Sequence, residues 1–327
     1  MIPTRHTQSK QVHLIAATAL LLAAQPARAD HGPGTSGGGT STQSAETMKP
    51  GKFAVEIRED FTEFQSLSSA EITARATSAG SIDLLDRSFL ETISVSYGII
   101  ENWQASLSIG YYQAVNAREA EFDAGTGTVA TETFDPDGVT DLWLTSKYRF
   151  YRGPAGQFAA FGGIKFPTGR SEVIDSGGSD VEPSATAGSG SFDGLLGMAW
   201  SSYLTPRLTI DVSGAYTIRS KHEDFQLGDR VDGGVALAYR FTEDIQKFPQ
   251  FSVFGEANVR HLFKSTDAGI KDDNTGGTVL FLTPGFRASF NRHMSLTVGA
   301  PIPALQELNG EQLKTAFKVN CSLTFSF

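Results

Sequence analysis

The chain has 327 residues, and its 27 basic and 36 acidic residues give a net charge of −9, which argues against a nucleic-acid partner. Its single cysteine, Cys321, excludes an intramolecular disulfide framework and any metal site built from several cysteines. A hydrophobic content of 40% is too low for a protein made mainly of membrane-spanning helices.

The first 29 residues have the pattern of a secretory signal peptide. Arg5 and Lys10 precede an apolar core, VHLIAATALLLAAQ, that is too short to span a bilayer as a helix. The sequence ARA at 27–29 offers the small residues that a signal peptidase reads, so we expect export with cleavage near Ala29. An uncleaved N-terminal membrane anchor is the alternative. After cleavage, 24 basic and 36 acidic residues would remain, a net charge of −12.

Residues 30–51 are rich in glycine, serine and threonine and show no apolar period. Such a composition predicts a flexible segment, which either hangs in the periplasm or folds into the interior of a larger structure. His31 is a candidate metal ligand in this segment, but a lone histidine in a polar tail is expected to be solvated.

From residue 52 to the end, apolar and polar residues alternate in repeated runs. In RLTIDVSGAYTIR (207–219), for example, Leu208, Ile210 and Val212 alternate with Thr209 and Asp211. Alternation of this length is the signal of β-strands whose two faces meet different surroundings. We predict about twelve strands: 52–65, 87–100, 102–115, 139–151, 156–166, 190–203, 206–219, 229–242, 249–263, 277–290, 292–300 and 312–327.

The connections between these strands alternate in length. Short links are predicted at 101–102, 152–155, 204–206, 243–248 and 291, and mostly long polar links at 66–86, 116–138, 167–189, 220–228, 264–276 and 301–311. This asymmetry predicts an all-β fold, a transmembrane antiparallel up-and-down β-barrel over residues 52–327, with short periplasmic turns and long extracellular loops. A soluble secreted β-sandwich is the alternative, and it explains the strand alternation but not the loop asymmetry.

Aromatic residues on the apolar series support the barrel. Those next to predicted short turns are Trp103, Phe150, Phe158, Trp200, Phe241, Phe251, Phe290 and Phe327. They mark one membrane interface, where amphipathic rings favour the headgroup level. The final stretch KTAFKVNCSLTFSF (314–327) alternates to its last residue, so we predict that it is the strand that closes the barrel.

Several segments resemble a known family of Gram-negative outer-membrane barrels, the one named for the meta-pathway of phenol degradation. They are DLWLTSKYRF (141–150), FGGIKFPTGR (161–170), DRVDGGVALAYRF (229–241), LFLTPGFRASF (280–290) and LQELNGEQL (305–313). The resemblance implies an outer-membrane channel or transporter for passive passage of small molecules, with aromatic or hydrophobic compounds as candidates. It also implies contact with outer-membrane lipid. The terminal Phe325 and Phe327 resemble the signal that the barrel-assembly machinery recognises.

If the apolar series meets lipid, the polar series lines the lumen. The predicted pore-lining residues are Lys147, Arg149, Lys165, Asp193, Asp211, Arg219, Asp232, Arg240, Glu256, Arg260, Arg287, Lys314 and Lys318, with Arg58, Asp60 and Asp141 on the same series. Charges in a water-filled pore set its solute preference. The same charges can instead pair with one another and hold adjacent strands together in a narrow, filled interior. Both interpretations remain open from the sequence.

Other functions have weaker support. A barrel that is structural or adhesive through its acidic loops is the main alternative to transport. An outer-membrane hydrolase would need a serine and a base in contact, and His293 and Ser295 are two apart on one face. We expect these two to be ordinary polar lumen residues, and we predict neither an enzyme nor a cofactor or metal site.

Overall fold

The computed structural model describes residues 38–327. The predicted signal peptide with its cleavage near Ala29, and the candidate ligand His31, lie outside the described residues.

Twelve long strands in this part of the chain form one closed antiparallel barrel. They are β1 (Phe53–Phe64), β2 (Arg87–Ile100), β3 (Trp103–Val115), β4 (Leu142–Gly153), β5 (Gly156–Phe166), β6 (Asp193–Tyr203), β7 (Leu208–Arg219), β8 (Arg230–Arg240), β9 (Gln250–Leu262), β10 (Gly277–Ser289), β11 (Met294–Gly299 and Ile302–Leu308) and β12 (Thr315–Ser326). Each pairs with its neighbours in sequence, and β1 pairs with β12 from Ala54–Ser326 onwards. Closure therefore leaves neither terminal strand with a free edge.

The barrel wall carries apolar side chains on its outer face and polar ones on its inner face, the reverse of the arrangement in a soluble protein. On β2, Ile93 and Val95 are 52% and 46% exposed on the outside, whereas the intervening Ser94 is 1% exposed on the inside. The same alternation recurs around the barrel, with apolar side chains outside and polar ones inside. A belt of exposed apolar side chains on every strand is stable only against lipid. The predicted transmembrane barrel is thus confirmed, and the soluble sandwich is excluded.

Aromatic clusters border the apolar belt at both ends. At the short-turn end, the rings of Phe53 and Phe327 stack with their centroids 4.7 Å apart. At the long-loop end, the ring of Phe61 lies 5.2 Å from that of Phe89 and 5.8 Å from that of Phe317. These are the two interfacial girdles that a spanning barrel requires.

The long connections carry structure of their own. A helix, α1 (Ser69–Ala79), begins at a capping box in which Ser68 and Glu71 bond each other's backbone amides. It packs through Ala76 on a small sheet of Ser81–Leu84, Arg118–Asp123 and Thr128–Thr133. Among the described residues, no helix combines the length and apolar character needed to cross a membrane.

Strand β11 is longer than the sequence predicts. The prediction ends it at residue 300 and assigns 301–311 to a long loop, but Ile302–Leu308 continues the wall by pairing with β10. The proline at 301 explains the error, because proline ordinarily ends a strand in the interior of a sheet.

Candidate functional site

The inside of the barrel brings together nearly all the residues predicted to line it. Asp232 is partly exposed. Buried within the barrel are Lys147, Arg149, Lys165, Asp193, Asp211, Arg219, Arg240, Glu256, Arg260, Arg287 and Lys318. The alternation of odd and even positions along each strand, here called parity, was therefore sufficient to assign these side chains to the lumen face.

Lys314 is the exception. It is exposed and lies just before β12, where its backbone oxygen accepts a bond from the amide of Gln65. The register between β1 and β12 shifts between Glu63 and Phe64, so parity cannot be extended past this point. Lys314 is not part of the lumen wall, and its assignment from sequence was wrong.

Charged side chains inside the long-loop half are paired across strands. The ammonium of Lys165 lies 2.6 Å from the carboxylate of Asp193 and 3.1 Å from that of Asp141. The Asp141 carboxylate also accepts bonds from Ser189. These charges join β5 and β6 to the loop before β4, which fits the interpretation of a ladder of ion pairs.

A second cluster continues the ladder around the wall. Asp232 forms an ion pair with Arg230 at 2.7 Å and accepts a hydrogen bond from the guanidinium of Arg260 at 2.8 Å. Sequence reasoning missed Arg230, although its position two residues before Asp232 puts it on the same face. On β1, Arg58 forms a two-bond ion pair with Asp60, both bonds at 2.8 Å.

Residues 38–48 lie inside the barrel, so the described part of the segment predicted to be flexible folds into the lumen rather than hanging free. Thr40, Thr42, Ser44 and Ala45 are almost fully buried. The segment enters from the short-turn end, where the amide of Met48 bonds the Gln104 side chain at 2.8 Å. We call residues 38–48 the plug.

The carboxylate of Glu256 binds the N-terminal part of the plug. It accepts from the backbone amides of Thr40 and Ser41, each at 2.9 Å, and from that of Thr42. The hydroxyl of Thr42 donates a further hydrogen bond to the same carboxylate, at 2.7 Å. A Cβ at Gly39 would overlap this carboxylate, so the close approach requires glycine. Successive amides converging on one anion form a compact backbone anion site.

Other wall residues hold the plug along its length. Each of the following bonds joins a plug backbone atom to a wall side chain: Arg58 to the oxygen of Thr40 at 2.7 Å, Lys147 to the oxygen of Ser44 at 3.0 Å, Asp211 to the amide of Gly38 at 3.0 Å, Ser213 to the amide of Gln43 at 3.0 Å and Ser201 to the amide of Ala45 at 2.7 Å. The attachment is thus almost entirely polar.

The plug separates spaces of very different size. A cavity of about 40 Å³ lies beside it, lined by Ser41, Arg230 and Lys318 among others. A second of about 80 Å³ lies nearer the long loops, around Lys165 and Arg219. On the short-turn side, a vestibule of about 1060 Å³ opens below the plug.

The vestibule is predominantly basic. Its lining includes the cations Lys49, Lys52, Arg149, Arg152, Arg240 and Arg292 and the anions Glu46, Glu101 and Glu243. Two of the arginines are fixed by neutral partners. Arg149 bonds the side chains of Asn102 and Gln157, and Arg240 bonds the backbone oxygen of Pro206 at 2.8 Å. Their positive charges therefore remain available to a passing anion.

At the opposite end, carboxylates from different loops converge outside the membrane-spanning strands. Burial, with Glu119 and Asp272 nearby, raises the pKa of Asp83 well above its ordinary range. Burial, with Asp83 nearby, does the same to the pKa of Glu182. Protonation of this cluster is thus favoured where the loops pack together.

The comparisons with known proteins agree with this architecture. The family described as "Putative MetA-pathway of phenol degradation" matches residues 92–303, well over half of the chain. The chain belongs to this family. No curated protein sequence matches it.

Solved structures similar to this family member include an outer membrane channel and the translocator domain of an autotransporter. The COG4313 outer membrane channel from Pseudomonas putida F1 is 15% identical, with a TM-score of 0.59 over 86% of this chain and 98% of that chain. The translocator domain of autotransporter NalP from Neisseria meningitidis is 12% identical, with a TM-score of 0.46 over 86% and 91%. The first likeness supports the fold, and the second is too weak to add to it.

The serine and histidine considered for a hydrolase occupy unlike positions in this family member. Ser295 is fully buried on β11, whereas His293 is exposed in the preceding turn. The Nδ1 atom of His293 lies 2.7 Å from the backbone oxygen of Ser326, so a backbone group orients the ring. Within residues 38–327, no group of three or more His, Cys, Asp or Glu is arranged to hold a metal ion.

Proposed function

We propose that this protein is a channel of the bacterial outer membrane that passes small molecules without catalysis, and that its plug must move for passage. The observation that carries the proposal is the plug itself, a segment of small polar residues held inside a closed barrel by hydrogen bonds. A barrel that served only as a scaffold or an adhesin would have no need of a removable filling.

The chemistry of the plug contacts makes removal feasible. Hydrogen bonds between polar groups exchange for bonds to water at a net cost of about 0.5–1.5 kcal/mol each. The plug buries one apolar side chain of note, Ala45, against Ala159, Leu195 and Ala199. Departure of the plug would therefore admit water to a surface that is already polar.

Part of the wall's charge is already paired without the plug. Lys165 with Asp193, and Asp232 with Arg230, pair within the wall and need nothing from the plug. Paired charges stay satisfied when a neighbouring segment leaves, whereas unpaired buried charges would resist it. The same ladder would then frame the opened pore, and Arg240 and the other vestibule cations would give it a preference for anions.

The membrane and its orientation belong to the same proposal. We infer that the short-turn end faces the periplasm and the long loops face the outside, as in bacterial barrels generally. Export would depend on the predicted signal peptide, and insertion on recognition of Phe325 and Phe327 by the barrel-assembly machinery. Small aromatic or hydrophobic compounds are the candidate substrates, because the family is named for phenol degradation.

Liposome swelling tests this function. Purified protein lacking residues 38–48 is expected to admit glycine and phenol-sized polar solutes faster than the full chain, since the lumen is no longer filled. Protein-free liposomes give the baseline. Swelling at that baseline for both proteins would contradict a channel and would favour the structural barrel.

A further inference from the structure

A buried arginine in the long-loop half of the barrel has no partner for its charge. Arg219 is the last residue of β7 and is 6% exposed. Its backbone bonds the side chains of Asp229 and Gln226, but within residues 38–327 no carboxylate lies at ion-pair distance from its guanidinium. The Nη1 atom is buried without a hydrogen-bond partner in this part of the chain. Because a buried charge without a partner is costly, such a group points to a ligand of opposite charge.

Thr217 supplies a second unpartnered polar atom on the same face of β7. It is 1% exposed, and among the described residues its Oγ1 atom has no hydrogen-bond partner. Residues two apart on a strand point to the same side, so Thr217 and Arg219 both line the cavity of about 80 Å³ near the long loops. A guanidinium beside a hydroxyl can donate to both oxygens of one carboxylate.

The other charged residues around this cavity are already paired. Lys165 lies 2.6 Å from the carboxylate of Asp193 and 3.1 Å from that of Asp141. Arg230 pairs with a carboxylate outside the cavity, at 2.7 Å. The positive charge that remains in the lining is therefore that of Arg219, and it favours an anionic ligand.

Part of the lining opposite these polar groups is apolar. Leu90 on β2 is 4% exposed and packs with the ring of Tyr112. Leu227, in the loop after β7, is 8% exposed, and the indole of Trp143 on β4 is partly buried. All of these except Tyr112 line the same cavity. An aromatic ring placed against them would be removed from water, which stabilises its binding.

The size of the cavity limits the ligand to one ring. A space of about 80 Å³ holds about five to eight water molecules, because each needs about 10–15 Å³ on this measure. At about 30 Å³ of liquid for each, these waters fill about 150–240 Å³. That is enough for one benzene ring bearing a carboxylate.

We propose that this cavity binds aromatic monocarboxylates such as benzoate, with Arg219 and Thr217 bonding the carboxylate and Leu90 and Trp143 contacting the ring. The inference rests on the proposed channel function and names a substrate class for it. The bound anion occupies a place between the long loops and the plug. Recognition needs both parts of the ligand, because the charge pairs with the guanidinium and the ring covers the apolar lining.

Isothermal titration calorimetry on the purified full chain in detergent tests the site. Three ligands are compared: benzoate, benzamide, which keeps the ring but has no charge, and acetate, which keeps the charge but has no ring. Benzoate is expected to bind once per barrel and at least tenfold more tightly than either of the others. Equal affinity for benzoate and one of the two controls, or no binding of benzoate, would overturn the proposal.

Substitution of Arg219 locates the binding. Arg219→Gln is expected to weaken benzoate binding by about ten- to a hundredfold, because a charge-assisted bond is lost, and to leave benzamide binding unchanged. Arg287→Gln is the matched control. Arg287 is also a buried arginine on the lumen face, but it bonds Thr297 at 3.0 Å and is not among the described residues that line this cavity. Benzoate binding that is unchanged in Arg219→Gln, or equally weakened in both variants, would contradict the site.

A second variant keeps the proposal testable if Arg219→Gln does not assemble. Thr217→Val keeps the shape of the side chain and removes its hydroxyl, and it is expected to weaken benzoate binding severalfold. Unaltered affinity in a correctly assembled Thr217→Val barrel would contradict the proposal.

Liposome swelling with glycine, using protein that lacks residues 38–48, separates this site from the channel function. Passage of glycine without binding of benzoate to the full chain would refute the site alone. Binding of benzoate without passage of any solute would refute the channel alone.

Discussion

The hold of Glu256 on the plug gives the sharpest prediction. Glu256→Gln keeps the shape of the side chain, removes its charge, and puts an NH₂ group where a carboxylate oxygen accepts bonds. The three backbone amides of Thr40, Ser41 and Thr42 then lose a charged acceptor. At about 1 kcal/mol for each weakened bond, the plugged state loses about 3 kcal/mol, or about 150-fold in the ratio of plugged to open barrels.

Single-channel recording in planar bilayers measures this ratio as the time spent closed against open. The Glu256→Gln barrel is expected to stay open far longer than the unchanged barrel at the same voltage. Asp193→Asn is the control, since Asp193 is also a buried lumen carboxylate but bonds Lys165 and Ser191 rather than the plug. Equal open times for Glu256→Gln and the unchanged protein would refute the reasoning.

Three further predictions follow from the two ends of the barrel. Arg240→Gln in a barrel lacking the plug reduces the preference for anions, read from the reversal potential in a salt gradient, because it removes one vestibule cation. Deleting Phe327 removes its ring stack with Phe53 and its two backbone bonds there, and it lowers the yield of folded barrel in outer-membrane fractions. The packed loops raise the pKa of Asp83, so they favour its protonated form. Lowering the pH below that raised pKa therefore stabilises the loop packing, and raising the pH above it destabilises the packing. Loop amide hydrogen exchange, corrected for intrinsic rates, is therefore slower at about pH 5 than at about pH 8, and Asp83→Asn flattens the difference.

Each of these has a control and a contrary result. Arg75→Gln changes a cation in loop helix α1, outside the lumen, and an equal effect on the reversal potential would remove the role of the vestibule. Phe327→Tyr keeps an aromatic ring and is expected to assemble, whereas normal assembly after deletion would count against the closing-strand account. Exchange that is faster at the lower pH would show that the Asp83 cluster does not favour protonation when packed.

Much of the fold follows from strand periodicity, because side chains alternate strictly between two environments. Periodicity places Lys165 and Asp193 on the lumen face, but it does not predict that they pair with each other. Which residues pair across two strands depends on the strand register, which is set by bulges and turns that leave no periodic pattern in the sequence. The same limit explains Lys314, which lies just past a register shift.

The plug and the second half of β11 were harder to foresee. Residues 38–48 have no apolar pattern because their partners are polar wall groups from distant strands, such as Glu256 and Asp211. The segment Ile302–Leu308 looks like an ordinary loop in sequence because Pro301 and Pro303 suggest the end of a strand. Both features depend on contacts between segments far apart in the chain, which local patterns do not encode.

The central claim is that a channel runs through this barrel and that its own N-terminal segment closes it. Thr42 and Asn258 bond at 3.2 Å, so Thr42→Cys with Asn258→Cys, in a Cys321→Ala background, can tie the plug to the wall by a disulfide. The decisive measurement is the single-channel current of this barrel before and after reduction. The account predicts no openings while the disulfide is intact and openings once it is reduced. Currents that are the same in both states would contradict it.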